Sequence, residues 1–423
     1  MGSLKDRLTI AIDIGTTQTA VAVRYVPKDG PIFSTIVDAW PGQEDDVQLA
    51  RVPTALLYSV DGNLIACGAK VQQELQRILQ IDGTARHIVP QHFKMQLHSK
   101  ESSVKLDENK SIPITRLYAD YLRFLLNHTR SHLTGYCGFD PWVLTRNDAT
   151  IVFSHPNKWN SEQQLILRQA AIAAGLVSPR DVTSRLHFVE EAEAAASFAL
   201  MTEPEVKNLL RVGTKFIVCD AGGSTIDISS YVVKSPKSRK QTFFEVEELA
   251  PSFSLDAGGV YVDMEFSSYF SDILTPVLGG DPEELQTTID DALADFEGQS
   301  KRRFAGPADI MQVKCGPLRQ QISGIGIHQG VLEVPSEFAT GFFQRSIETT
   351  ANNLLSLKRT HQVSVIIFTG GFADNLYFQR VIKARSKAVA VGALSLASGL
   401  EQSIRIKRAQ RSWTTWLMDI FRR

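Results

Sequence analysis

The stretch that decides the fold is Leu8-Thr-Ile-Ala-Ile-Asp13-Ile-Gly15-Thr16-Thr17-Gln-Thr-Ala-Val-Ala-Val, and its pattern occurs twice in the chain. The second copy is Lys215-Phe-Ile-Val-Cys-Asp220-Ala-Gly222-Gly223-Ser224-Thr225-Ile-Asp227-Ile-Ser. Each copy predicts an apolar strand, an aspartate, a glycine turn with threonine, and a second apolar strand. The duplication predicts two similar lobes that clamp one polyphosphate and its Mg²⁺ between them.

Each predicted turn combines glycine, which suits an anion, with a carboxylate, which repels one. Because glycine has no Cβ, its backbone N–H can approach a phosphate closely, and threonine hydroxyls add donors. A carboxylate fits beside phosphate only when a cation lies between them, and Mg²⁺ typically needs one or two carboxylates. Asp13 and Asp220 are therefore the predicted Mg²⁺ residues. Two ordinary β-hairpins with glycine and aspartate in their turns are the alternative.

Other nucleotide-binding patterns are absent from the sequence. The P-loop motif does not occur, and no G-x-G-x-x-G opens a helix after a strand. A third glycine turn does occur, in Phe368-Thr-Gly370-Gly371-Phe372, between a buried strand from Val363 and a helix predicted from Asn375. A flat base or ribose can approach the backbone at such a turn, although a plain strand-to-helix connection has the same pattern.

Composition is typical of a well-cored globular protein of two or three domains. The net charge of −1 gives no drive toward nucleic acid. No apolar run is long enough to span a bilayer, and no leader-like segment follows Met1. The four scattered cysteines predict a reducing compartment, which we take as the cytoplasm. His128 and His132 lack the glutamate of an H-E-x-x-H pattern, so no metal site is expected there.

Taken in order, the three glycine turns resemble those of the actin-like ATPase superfamily, and above all the ATPase unit of the seventy-kilodalton heat-shock chaperone family. The resemblance covers most of residues 8–400. Shorter matches lie between the turns in the same order, at Arg51-Val-Pro-Thr-Ala, Leu64–Lys70, Phe93–Leu97, Phe153–Trp159, Val189–Ala196, Asp256–Asp263 and Ala388–Ala393.

The resemblance implies an α/β fold of two actin-like lobes, each built on a ribonuclease-H-like mixed sheet with flanking helices. The N-terminal lobe would comprise residues 1–200 and the C-terminal lobe residues 201–400, followed by a basic amphipathic tail at 401–423. It also implies ATP or ADP and Mg²⁺ as ligands, and a co-chaperone or exchange factor as partner.

The resemblance further implies a role for each matched residue. Asp13 and Asp220 would hold Mg²⁺ through waters, Lys94 would neutralise the γ-phosphate, and Glu191 would order the metal shell or the attacking water. Asp220 or Asp227 would orient that water, with Thr225 beside them. The residues implied to hold phosphates and adenosine are Gly15, Thr16, Thr17, Gly222, Gly223, Ser224, Gly258, Gly259, Lys301, Arg302, Gly370, Gly371 and Phe372.

Several of these residues have a second interpretation. Lys94 could be a solvated loop lysine, and Glu190 or Glu193 could replace Glu191 at the nucleotide. The run Lys301-Arg302-Arg303 could instead be the cationic end of an acidic helix that begins near Asp281.

The sequence departs from the family pattern at three places. Ser224 stands where the family usually has a third glycine, which would cost on the order of 1 kcal/mol if that position needs a positive φ. The segment from Asn375 to the predicted closing helix at Ala388–Ala393 is short, so one sheet strand is expected to be missing and a sheet edge left unpaired. The residues after Gly392 are too few for the chaperones' peptide-binding domain and lid.

These observations favour a heat-shock-70-like ATPase that hydrolyses ATP slowly, in a chaperone-like or regulatory role. A nucleotide-binding regulatory module with little or no hydrolysis is the alternative. A small-molecule kinase of the superfamily is a third candidate, although its only tempting aspartate, in Asn147-Asp148, precedes a strand and suits a turn better. The tail from Ile404 could bind an anionic membrane, dock on a partner, pack on its own lobe or fray.

Overall fold

The computed structural model describes residues 5–43, 50–81, 87–90, 92–97, 103–105, 110–157, 159–195, 209–234, 245–316, 325–386, 389–394 and 405–407. The chain divides into two compact units, here called the first unit (residues 1–202 and 396–423) and the second unit (residues 203–395). The predicted basic loop after Lys234 and most of the tail, residues 401–404 and 408–423, lie outside the described residues.

The first unit combines a mixed sheet with helices packed on it. Its strands are β1 (Arg7–Ile14), β2 (Gln18–Val26), β3 (Phe33–Ile36), β4 (Arg51–Pro53), β5 (Leu56–Ser59), β6 (Leu64–Cys67), β7 (His87–Ile88), β8 (Ser103–Lys105), β9 (Ser111–Pro113), β10 (Thr150–His155) and β11 (Leu186–Glu190). Its helices are α1 (Lys70–Ile81), α2 (Phe93–Gln96), α3 (Ile114–Cys137), α4 (Pro141–Thr145), α5 (Ser161–Ala174) and α6 (Val182–Arg185), and residues 191–195 are also helical.

The second unit repeats this combination. Its strands are β12 (Lys215–Ala221), β13 (Ile226–Lys234), β14 (Glu245–Leu255), β15 (Met311–Lys314), β16 (Ile327–His328), β17 (Val331–Val334), β18 (Val365–Thr369) and β19 (Val389–Leu394). Its helices are α7 (Gly259–Leu278), α8 (Pro282–Asp295), a π-helical turn (Phe296–Ser300), α9 (Lys301–Arg303), α10 (Ser336–Phe342), α11 (Gln344–His361) and α12 (Leu376–Ser386).

Five strands of the main sheet in each unit have the same order and the same directions. The first runs β11-β10-β1-β2-β3 and the second β19-β18-β12-β13-β14. In each, the first strand of the predicted hairpin pairs antiparallel with its successor and parallel with a strand from much later in the unit. Both predicted hairpins therefore form, and each lies at the centre of its own sheet.

Apolar periodicity explains why these central strands and their covering helices form. Alternate residues of β1, from Leu8 to Ile14, are buried in one cluster with the apolar face of α3. Ala11, on the opposite face of β1, packs with Val152 and Val189 of the neighbouring strands. Because both faces of the sheet are covered, these strands read as nearly continuous apolar runs, as buried parallel strands do.

The expectation of a missing sheet strand and of a closing helix at Ala388–Ala393 is wrong. Residues Val389–Leu394 form β19, which runs parallel to β18 and pairs Val365 with Val389 and Ile367 with Val391. Two β-branched valines at alternate positions favour a strand over a helix. The helix predicted from Asn375 is α12, so the short segment still supplies a helix and then a strand. At the start of the tail, Arg405–Lys407 form a short strand, β20.

Helix α3 offers a matched pair of glycines for testing how its end is specified. Gly135 lies inside the helix and Gly138 caps it at a left-handed φ of 74°. A Cβ at either position would meet nothing within 4 Å, so only backbone conformation distinguishes them. We expect Gly135→Ala to raise the free energy of unfolding by about 0.5–1 kcal/mol, because alanine favours the helix.

Gly138→Ala is expected to lower the free energy of unfolding by about 1–2 kcal/mol, because alanine is strained in the left-handed region. Urea unfolding of both variants beside the parent chain measures the difference. Equal effects of the two substitutions would contradict this account of the helix end.

Candidate functional site

The two glycine turns are closed by the same backbone hydrogen bond. In the first unit the Gly15 N–H donates to the Gln18 carbonyl at 3.0 Å, and in the second the Gly222 N–H donates to the Thr225 carbonyl at 2.9 Å. Each glycine follows its aspartate by two residues, so Asp13 and Asp220 occupy equivalent places at the ends of β1 and β12. The predicted repeat is therefore present in backbone geometry as well as in sequence.

The residues opposite the two aspartates differ. Across its hairpin Asp13 pairs with Ala20, whereas Asp220 pairs with Asp227. Directly opposed residues of an antiparallel pair share one face of the sheet, so the second turn carries two neighbouring carboxylates. They are only 3% and 1% exposed.

Both oxygens of Asp227 accept hydrogen bonds from hydroxyl groups. Thr225 Oγ1 donates to Oδ2 at 2.9 Å, and Ser254 Oγ donates to Oδ1. The charges of Asp220 and Asp227, after the larger effect of burial, raise the pKa of the Cys219 thiol far above its ordinary value, so this cysteine stays protonated. A Mg²⁺ ion, which takes one or two carboxylates with waters, suits such a pair of buried carboxylates.

In the first unit Asp13 lies near the carboxyl end of β1, at the edge of the sheet where the parallel strands end together. Ser154 Oγ, near the end of β10, donates to Asp13 Oδ1 at 2.7 Å. The next strand of the same edge is β11, in which Glu190 pairs with His155. Because β1, β10 and β11 are parallel, their carboxyl ends bring polar groups from three distant parts of the sequence to one edge.

Lys94 and Glu191 form a buried ion pair beside this edge. The Lys94 Nζ donates to Glu191 Oε1 at 2.9 Å, and the two residues are only 4% and 8% exposed. Trp159 lies against the amine, with its ring centre 5.6 Å from Nζ. The interpretation of Lys94 as a solvated loop lysine is therefore wrong. Of the three neighbouring glutamates, Glu191 is the one placed against Lys94.

The short helix α2 holds Lys94 in place through its neighbour in sequence. Phe93 is fully buried and meets the rings of Tyr118 and Tyr121 edge-on, at 5.0 and 5.8 Å between centres. Tyr121 in turn donates its hydroxyl to the Pro53 carbonyl at 3.0 Å. The aromatic contacts anchor α2 on α3, so the lysine is held by core packing and not by its charge alone.

The third glycine turn lies directly on the end of β12. Gly370 has a φ of 89°, and a Cβ there would come within 2.4 Å of both the Ala221 carbonyl oxygen and Asp220 Oδ1. Phe372 N–H donates to the Ala221 carbonyl at 2.9 Å, whereas Gly371 is exposed. The second and third turns are thus brought together, with Asp220 between them.

Ser224 does not need the positive φ on which the expected cost depended. Ser224 is absent from the described residues with positive φ. The start of α7 closes on this turn instead, since the N–H groups of Gly258 and Gly259 donate to the carbonyls of Ser224 and Gly222 at 3.2 and 3.1 Å. These two amides are therefore engaged within the protein.

Lys301 and Arg302 are placed very differently. Lys301 is buried, and its amine lies 2.6 and 2.7 Å from the two carboxylate oxygens of Asp263. Arg302 is exposed. Thr16 is buried, and the Thr17 carbonyl accepts the Thr54 N–H at 2.9 Å. Asn147 and Asp148 lie in a turn, as their position before β10 predicts.

Sequence reasoning missed several polar partners of the site. Ser154 and Ser254 donate hydrogen bonds to Asp13 and Asp227, and Asn375 donates one to the Lys301 carbonyl, but no role was predicted for these side chains. Ser154 had the clearest available signal, because it is a hydroxyl residue near the carboxyl end of a strand that is otherwise apolar. Within the described ranges, no three His, Cys, Asp or Glu side chains gather as metal ligands.

Comparison with known proteins finds distant relatives. No protein-family model matches the chain. It is 20% identical to mouse (Mus musculus) "Heat shock 70 kDa protein 12A" over 461 aligned residues, which cover 89% of this chain and 65% of that protein. For human (Homo sapiens) "Heat shock 70 kDa protein 12B" the identity is also 20%, with 89% of this chain and 64% of the relative covered. The chain spans about two thirds of the length of these curated relatives, and its mixed α/β architecture is consistent with a distant relationship to them.

The buried ion pair at Lys94 predicts a large asymmetry between single variants. Lys94→Met removes the cation that is bonded to the buried Glu191 carboxylate, so we expect the free energy of unfolding to fall by about 3–5 kcal/mol. The exposed pair of Lys110 and Asp61, 3.3 Å apart, supplies the control. Lys110→Met should cost less than about 1 kcal/mol. Chemical unfolding of both variants measures this, and a small loss for Lys94→Met would show that the pair is solvated.

Proposed function

We propose that this chain is a heat-shock-70-like ATP-binding protein that binds Mg·ATP and hydrolyses it slowly, in a chaperone-like or regulatory role. The observation that carries the proposal is the repeated hairpin, in which a central strand ends in Asp-x-Gly and turns back through the same N–H···O=C bond. A glycine turn of this kind, with an aspartate at equivalent places in both units, suits phosphate and Mg²⁺ better than it suits an ordinary hairpin. The distant similarity to heat-shock 70 proteins supports the same interpretation.

The chemistry of phosphoryl transfer fits the groups that the turns carry. The reaction needs mainly positioning and neutralisation of charge, with little covalent work from the protein. Mg²⁺, when bound, would neutralise phosphate charge, and Asp13 and Asp220 are the residues suited to hold its waters. The backbone and hydroxyl groups of Thr16, Thr17 and Gly223 would donate to phosphate oxygens.

Lys94 would supply a fixed positive charge to the terminal phosphate. Its amine donates to Glu191 Oε1 at 2.9 Å, and this bond helps to hold the side chain in place. Glu191 would then act on the attacking water or on the metal's waters. The ion pair supports this proposal because a lysine held by core packing loses little entropy when a phosphate arrives.

A specific observation favours the alternative of a regulatory module with little hydrolysis. Asp227 is one of the two aspartates proposed to orient the attacking water, and both of its oxygens already accept hydroxyl groups from Thr225 and Ser254. Each of its oxygens already has one donor, so fewer acceptor sites remain for an attacking water. Binding without turnover would then be the activity of the chain, and nucleotide state its signal.

The remaining expectations about partners and place in the cell stay proposals. A co-chaperone or exchange factor would set the nucleotide state, and the cytoplasm is the proposed location. Among the described residues, no helix has both the length and the apolar character needed to cross a membrane.

The proposal is tested by ATP binding and single-turnover hydrolysis with and without Mg²⁺. We expect Mg²⁺-dependent binding and slow phosphate release, and we expect Asp220→Asn to lower the rate of release by about 100-fold or more, because a group placed at the reacting phosphate is lost. Asp290→Asn is the matched control, since Asp290 is exposed on α8.

The outcomes separate the candidate functions. Release that depends on Asp220 supports the ATPase. Tight binding without release selects the regulatory module. Absence of binding by the parent chain rejects both, and transfer of the labelled γ-phosphate to a sugar or polyol would instead indicate a kinase.

A further inference from the structure

The second unit holds its two glycine turns in a closed ring of contacts that passes through Lys301. The ring begins where α7 meets the second turn. The N–H groups of Gly258, Gly259 and Val260 donate to the carbonyls of this turn, and the shortest bond joins Val260 to Gly223 at 2.7 Å. A Cβ at Gly258 would lie 2.5 Å from the Gly223 carbonyl oxygen, so the two backbones are in direct contact.

The ring continues from α7 to Lys301 through a buried ion pair. Lys301 Nζ lies 2.6 and 2.7 Å from the Asp263 oxygens and 3.3 Å from the Gly259 carbonyl oxygen. An ammonium group has three donors and no acceptor. Three acceptors on α7 therefore satisfy the amine, and none of its donors is left for an adenosine.

The carbonyl of Lys301 connects this ring of contacts to α12. Asn375 Nδ2 donates to this carbonyl at 2.7 Å, and Asn375 Oδ1 accepts the Phe378 N–H at 2.8 Å in the first turn of the helix. Lys301 thus contacts the start of α7 through its side chain and the start of α12 through its main-chain carbonyl.

The third turn closes the ring. Phe372 and Ala373 both donate their N–H groups to the Ala221 carbonyl, at 2.9 and 3.3 Å, and Ala221 directly precedes the second turn. The Phe372 ring also packs on Gly259, where a Cβ would lie 3.3 Å from it. Displacement of α7 or of α12 would therefore move one turn relative to the other.

We propose that Lys301 is a positioning residue which, through Asp263, sets the geometry of the second and third glycine turns, and that it does not contact the nucleotide. The part that concerns nucleotide affinity rests on the proposed function, whereas the part that concerns the turns does not. Arg302, an exposed neighbour, remains a cation of this segment that is accessible to a ligand.

A double-mutant cycle distinguishes a positioning role from a direct contact. Lys301→Met or Asp263→Leu leaves one buried charge without its partner, whereas the double variant replaces the pair by apolar groups of similar size, which is often well tolerated. Arg303→Met removes a neighbouring exposed cation and serves as the matched control.

The first measurement is hydrogen–deuterium exchange of the nucleotide-free chain, in peptides covering residues 220–226 and 370–376. Each single variant should speed exchange in both peptides by about tenfold or more, and the double variant and Arg303→Met should exchange like the parent. Unchanged exchange in the 370–376 peptide of folded single variants would contradict the positioning role of Lys301, whether or not the chain binds ATP.

The second measurement is the Kd for ADP with Mg²⁺. Each single variant should bind about tenfold more weakly, and the double variant should bind within about threefold of the parent. A double variant that exchanges normally yet binds as weakly as Lys301→Met would show that Lys301 contacts the nucleotide. If a single variant does not fold, the exchange and the Kd of the double variant alone distinguish a positioning role from a direct contact. Failure of the parent chain to bind ADP rejects the proposed function. The exchange result then tests the positioning role of Lys301 by itself.

Discussion

Close packing of backbone against backbone at the end of β12 is the constraint on which the second unit depends. The Ala221 carbonyl accepts two N–H groups from the third turn, and the carbonyls of the second turn accept the first N–H groups of α7. Such approaches leave no room for a Cβ at Gly258 or Gly370. Because peptide groups are rigid and their hydrogen bonds directional, the side chain of Asp220 is held at a defined place among them.

Both units contain a buried ion pair. Each unit buries an ammonium group and pairs it with a carboxylate, Lys94 with Glu191 and Lys301 with Asp263. Burial of an unpaired charge is far more costly than burial of a hydrogen-bonded pair. Three acceptors surround the Lys301 amine, and Glu191 Oε1 lies 2.9 Å from the Lys94 amine.

Much of the candidate site was predictable because its signals are local. A strand that ends in Asp-x-Gly and turns back needs only a few consecutive residues, and both hairpins form where the pattern stands. The choice of Glu191 among three glutamates was also predicted from spacing. The strand Val389–Leu394 was mistaken for a helix because a short run of valine and alanine suits both, and only its partner β18 decides between them. The condition for a cost at Ser224, a positive φ, is not met, and the sequence could not decide this because a turn's φ depends on the carbonyls and amides packed on it.

The sequence by itself determined the two hairpins, their aspartates and the glycine turns. Each of these features depends on consecutive residues, whose backbone preferences are intrinsic. Only the tertiary structure decided which side chains meet there. Ser154 reaches Asp13 across 141 positions of the chain, Lys94 reaches Glu191 across 97, and Lys301 reaches Asp263 across 38. Parallel strands gather their carboxyl ends at one edge whatever their distance in sequence, and buried charges must find partners within reach. Contacts of this kind follow from the packing of whole elements, which no local pattern specifies.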